Sequence, residues 1–271
     1  WGLHHSRKKL VDSNTAELAS TVLCWLLISP NNELRDKATK ALVSILCAQL
    51  DALTSIMHQF EGIDDPYILE RIYAVAFGCS VNCNNNGKLK ELALYVYKAV
   101  FDKDEVYPNI LLRTYAKNII DYAVYVGCIS NENCSISKTQ PPYRSIFPEI
   151  PSDEEIKRYS LDTNSPDFQK HHYAQLRILS SMKVEYSRDG KPGGYGDFGR
   201  YTFQHYFYAW PNLHPMDLKN IAIKHIFELG YDVKKHGKYD CSVSRSYGEK
   251  CERIGKKYQW IALYDLAARV S

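Results

Sequence analysis

Gly194-Tyr195-Gly196-Asp197-Phe198-Gly199 has the G-x-G-x-x-G spacing with which a strand-turn-helix unit lays a pyrophosphate on a helix N-terminus. That chemistry needs a buried strand directly before the glycines. Ser187 to Gly193 (SRDGKPG) is turn chemistry, so an ordinary flexible loop is expected, with a phosphate site as the lesser alternative. Eight aromatics lie between Tyr195 and Trp210. Such rings give a large contact area with little loss of rotamer freedom. Phe203, Phe207 and Trp210 share one helical face and are expected inside, leaving Tyr201 and Tyr208 for contact with a partner. Lys234 to Lys257 holds eight basic and three acidic residues, and adds Lys234, Lys235, Tyr239, Arg245 and Tyr247 to the partner-binding set. A basic loop interspersed with tyrosines can hold nucleic acid by phosphate attraction and stacking, but protein contact or simple solvation is preferred.

Cys79 and Cys83 are one helical turn apart, yet no His or Cys pair nearby completes a tetrahedral zinc set. The histidines from His171 to His236 also lack zinc spacing. No metal and no other cofactor is expected. No Ser, Cys or carboxylate stands in a nucleophile or paired-acid motif, and Asp232, His236 and Asp240 are too generic to define a hydrolase. G-x-x-x-x-G-K-[ST] is absent from the sequence, and the chain is expected not to be an enzyme.

The elements that must position these residues read as helices. Thr15 to Ile28 has helical apolar spacing and stops before Pro30, because the residue preceding a proline is driven out of the helical region. A helix from about Glu33 to Leu53 follows, and others start at Pro66, Gly87 and Pro108. Three times a proline precedes an arginine by about five residues: Pro30 and Arg35, Pro66 and Arg71, Pro108 and Arg113. The arginines are 36 and 42 residues apart. Antiparallel pairs at that period are expected to form HEAT or armadillo-like helical repeats, with a single non-repeating helical domain as the alternative. A proline-rich stretch, 135–166, is expected to connect this 1–134 repeat segment to a C-terminal helical module, 167–271. That module is expected to contain helices at Asp167 to Met182, Arg200 to Trp210, Met216 to Leu229 and Cys251 to Val270, with a Gly-rich loop and a basic loop.

Composition is that of an ordinary soluble globular chain. Its 271 residues are 45% hydrophobic and 24% charged, too long for one small core and suited to two domains or a solenoid. The longest apolar run, Val22 to Ile28, is far shorter than a membrane span, so no membrane partner is expected. Eight cysteines without C-x-x-C spacing suggest reduced thiols and a cytoplasmic location. A first residue other than Met, with no secretory pattern after it, suggests a piece of a longer chain. The net charge of +3 conceals two signs: residues 1–169 carry 17 basic and 21 acidic groups, and residues 170–271 carry 17 and 10. The basic end suits an acidic partner.

Phe198 to Phe203 (FGRYTF), Leu218 to Asp232 (LKNIAIKHIFELGYD), His236-Gly237 and Glu252 to Ala262 (ERIGKKYQWIA) together resemble the C-terminal region of large bacterial STAND-type (NACHT-like) ATP-binding proteins of antiviral defence, the Avs-like group. Asp64 to Gly78 (DDPYILERIYAVAFG) is similar to the helical-repeat region that precedes it. The resemblance implies a sensor or scaffold that binds a phage or other foreign protein, while effector and NTPase chemistry belong to the rest of the parent chain, which can oligomerise. Because this sequence lacks the P-loop, nucleotide binding is not carried over. A nucleic-acid-binding module using the basic C-terminal third is the alternative.

Overall fold

A computed structural model describes residues 11–243 and 251–271. The protein is mainly helical, and an isolated antiparallel bridge pairs Tyr186 with Pro192. It divides into two units: Trp1–Ile146 with Ala268–Ser271, and Phe147–Ala267. The boundary falls inside the proline-rich stretch expected to be a connection.

In the first unit the helices are α1 (Ser13–Leu26), α2 (Asn32–Leu46), α3 (Leu50–Phe60), α4 (Pro66–Val81), α5 (Asn86–Val96) and α6 (Ile110–Tyr125). Five of them begin on an Asp or Asn whose side chain accepts a hydrogen bond from a first-turn amide: Asp12, Asn31, Asp65, Asn85 and Asn109. Each satisfies an N–H that the helix itself cannot. α3 differs, because Gln49 precedes it with no side-chain cap. This is the break missed inside the expected helix from Glu33 to Leu53. Apolar spacing carries through Cys47 to Gln49 without glycine or proline, and the turn is set by burial of Leu46 and Leu50 on both sides of it.

α1 packs on α2 and α3, α2 on α4, α3 on α5, and α4 and α5 on α6. Pairs of helices therefore stack in two rows, a helical-repeat arrangement in which each pair covers the apolar stripe of its neighbour. Leu27, Leu42, Leu53, Ile68, Leu92 and Ile120 are completely buried between the rows. Three of the eight free cysteines, Cys24, Cys79 and Cys134, are buried with them.

The recurring arginines are only partly equivalent. Arg35 and Arg113 both stand four residues after a capping asparagine and are buried, whereas Arg71 stands six residues after Asp65 and is half-buried. Arg35 and Arg71 lie 5.0 and 5.8 Å from the Tyr67 ring centre, and Arg71 lies 3.7 Å from Asp36. Arg113 donates to the carbonyl of Ala268 at 2.9 Å, bonds Ser271 and lies 4.0 Å over the Tyr143 ring. Between these arginines Glu70 is buried, bonded by the Asn109 side chain, with Oε2 left without a partner. Desolvation, opposed by the Arg71 and Arg35 charges and the Asn109 bond, raises its carboxyl to about 7.

The second unit contains α7 (Asp153–Lys157), α8 (Tyr173–Ser181), α9 (Pro215–Glu228), α10 (Val233–Ser242) and most of α11 (Ile254–Val270). α10 lies within a stretch expected to be a basic loop. The expected helix from Asp167 is shorter, a 3-10 turn Lys170–His172 leading into α8.

Candidate protein-binding surface

The aromatic segment is helical but irregular: a π-helical turn, Gly199–Gln204, then a 3-10 turn, Phe207–Ala209. Its inward residues follow the expected face. Phe203 and Phe207 are buried with ring centres 5.0 Å apart, and Trp210 is half-buried. Phe198 is also fully buried, edge-on to Trp260 at 5.0 Å and capped on one face by the Lys256 ammonium at 4.5 Å. Tyr201 and Tyr208 remain 63% and 60% exposed, so they stand outward from a packed aromatic base.

The glycines preceding this segment do different work from the one their spacing suggests. Gly193 and Gly194 pair antiparallel with Glu185 and Val184 through backbone hydrogen bonds of 2.7 and 3.2 Å, and the Phe198 amide donates to the Ser181 carbonyl at 3.1 Å. A Cβ on Gly193, Gly196 or Gly199 would fall less than 3 Å from the backbone of 181–185. The run is thus held against the end of α8 rather than being a flexible loop, and backbone fills the space next to the glycines.

That packing fixes Arg200. Its guanidinium pairs with Glu185 at 2.7 Å and lies 4.5 Å over the Tyr195 ring and 5.6 Å from the Tyr201 ring. Tyr195 is 81% exposed. Tyr195, Arg200 and Tyr201 form one cluster, and one turn further His205 meets Tyr208 with ring centres 5.3 Å apart. Neither Tyr195 nor Arg200 belonged to the expected contact set. The available signal was an arginine directly before one tyrosine and five residues after another, a spacing that becomes a cation–π cluster only in this fold.

Lys234 and Lys235 are exposed on the first turn of α10, with Lys238 exposed one turn on. Tyr239 is half-buried. α10 packs on the Lys170–His172 turn and α8, so the lysines and the aromatic cluster are carried by separate elements. Arg245 and Tyr247 lie outside the described residues.

The three residues considered for hydrolysis are all engaged in backbone bonding. Asp232 caps α10 through the Lys234 amide at 2.8 Å, and His236 Nδ1 accepts from the Asp232 amide at 3.2 Å. Buried Asp240 accepts from the amides of Ile254 and Gly255 at 2.6 and 2.8 Å and from the Tyr231 hydroxyl at 3.1 Å. It anchors the start of α11. Among the described residues, no three His, Cys, Asp or Glu side chains group as metal ligands, and no helix is long and apolar enough to cross a membrane.

No protein-family model matches the chain, and comparisons with curated proteins and with solved structures give no match.

Proposed function

We propose that this chain is a non-catalytic recognition region that binds another protein through the exposed aromatic face of its second unit. The observation that carries the reading is the cluster of Tyr195, Arg200 and Tyr201, with Tyr208 one step on, exposed above buried Phe198, Phe203 and Phe207. Tyrosine and arginine dominate the energetic centres of protein interfaces, and a packed base holds them ready without loss of rotamer freedom on binding. Stacked helix pairs add an extended scaffold of the kind that HEAT-like repeats provide.

The resemblance of Leu218 to Asp232 and Glu252 to Ala262 to antiviral STAND proteins supplies the partner class: a phage or other foreign protein, sensed in the bacterial cytoplasm on behalf of a parent chain that carries the P-loop. On this reading no cofactor binds the region itself.

The test is affinity for purified phage structural and packaging proteins, measured with the parent chain and with a Tyr201→Ala/Tyr208→Ala variant whose melting temperature is unchanged. Loss of two hot-spot rings predicts at least about a 30-fold weaker complex. No binding to any of them, or equal binding by the variant, overturns the proposal. Binding to DNA or RNA that falls steeply with salt and is lost on replacing Lys234, Lys235 and Lys238 would instead establish the nucleic-acid reading, which those exposed lysines favour.

A further inference from the structure

The first unit contains a cavity of about 80 Å³ between α3, α4, α5 and the start of α6. At the space one water needs, this accommodates roughly five to eight waters or a compact organic group. Met57, Leu69, Ile72, Val100 and Leu112 make its walls apolar. Its polar lining consists of the tyrosines Tyr73, Tyr95 and Tyr107 and the carboxylate of Glu61, with no lysine or arginine.

Each polar group is held by a distinct piece of the fold. Glu61 is the C-cap of α3 and is exposed at the rim, with His58 Nδ1 3.4 Å from its carboxylate. Tyr95 comes from α5, its ring 4.4 Å from that of His58. α5 then widens into a π-helical turn, Tyr97–Phe101, whose Ala99 and Val100 line the cavity. Such turns are often found where a helix is shaped around a site rather than for its own stability. Tyr73, on α4, is 7% exposed and also lines the cavity.

The charge of the cavity selects the occupant. Burial raises the hydroxyls of Tyr73 and Tyr95 above their ordinary range, and the Glu61 charge pushes both further in the same direction, so the rings stay neutral within a negative field. Tyrosine faces and one carboxylate attract a cation with apolar substituents, which sheds water more readily than a bare ammonium.

We infer that this cavity is a binding site for a small substituted ammonium cation, held by the rings of Tyr73, Tyr95 and Tyr107 and by the Glu61 carboxylate, with its apolar substituents against Met57, Ile72 and Leu112. The site is independent of the aromatic surface of the second unit and requires no partner protein.

The experiment titrates the whole chain, labelled at its methionine methyls, with choline and with its uncharged isostere 3,3-dimethylbutan-1-ol. Choline is expected to shift the Met57 resonance while those of Met182 and Met216 stay in place. The alcohol should bind at least about tenfold more weakly. Glu61→Gln, at an exposed rim position, should remove most of that preference while leaving the melting temperature unchanged. Equal affinity for the two probes, no Met57 shift at tens of millimolar choline, or an undiminished preference in Glu61→Gln each overturns the assignment.

Discussion

Glu70→Gln should stabilise the protein at neutral pH, and by an amount that depends on pH in a defined way. In the folded state burial holds the Glu70 proton up to about pH 7, whereas an unperturbed glutamate loses it near 4.5. Between those values the native state binds more protons than the unfolded chain, so stability falls as pH rises through the window and levels off above it. A separation of that size, at roughly 1.4 kcal/mol per pH unit, gives about 3 kcal/mol of stability lost between pH 4.5 and 7. Glutamine keeps the shape and can accept the Asn109 bond, but carries no charge to desolvate. The variant should therefore match the native protein near pH 4.5 and exceed it by about 2 to 3 kcal/mol at pH 7.5. Urea unfolding followed by circular dichroism at half-unit pH steps measures the difference. Because the other ionisable groups are common to both proteins, the subtraction isolates Glu70. Hydrogen exchange in α4 and α6 assigns the change to the first unit. A difference independent of pH would refute the raised carboxyl. A variant less stable at pH 7.5 would show that ionised Glu70 is a net stabilising partner of Arg35 and Arg71.

Two further substitutions test the second unit. Gly199→Ala should cost more than about 3 kcal/mol, because its Cβ would overlap the Met182 and Lys183 backbone, while Gly62→Ala, with open space around it, should be nearly neutral. Thermal melts of the two variants compare them directly, and an equal effect would refute the packed glycine run. Asp240→Asn should cost about 2 kcal/mol, since an amide would replace one of the oxygens that accept from Ile254, Gly255 and Tyr231. Faster hydrogen exchange at the first turn of α11 checks it, and unchanged exchange there would count against the anchoring role.

Local signals marked some helix starts and not others: α4 opens at Pro66 as expected, whereas the caps Ser152 of α7 and Asp232 of α10 were not read as helix starts. Asp12, Asn31, Asp65, Asn85 and Asn109 each satisfy a backbone donor within three residues, and such chemistry is written in adjacent positions. α10 was hidden despite its Asp232 cap. Its buried stripe is Val233, Gly237 and Asp240, a helical spacing in which only one member is a large apolar residue, so no hydrophobic periodicity marks it. The inward face of the aromatic segment could be read because Phe203 and Phe207 are apolar at helical spacing. The Tyr195–Arg200 pairing and the ring of tyrosines around the cavity could not, since each depends on elements brought together by folding. The glycine run marks the boundary between the two cases most sharply. Gly194, Gly196 and Gly199 state correctly that something approaches the backbone too closely for a side chain. A phosphate and a neighbouring stretch of the chain impose the same requirement on those positions, so the spacing alone cannot distinguish them. The hydrogen bonds from Gly193, Gly194 and Phe198 back to 181–185 assign the approach to the chain itself. In the first unit too, a motif whose meaning is proximity takes its function from its neighbour: Arg35 and Arg113 share one position after a capping asparagine, yet Arg35 lies over Tyr67 of α4 while Arg113 lies over Tyr143 and donates to the Ala268 carbonyl.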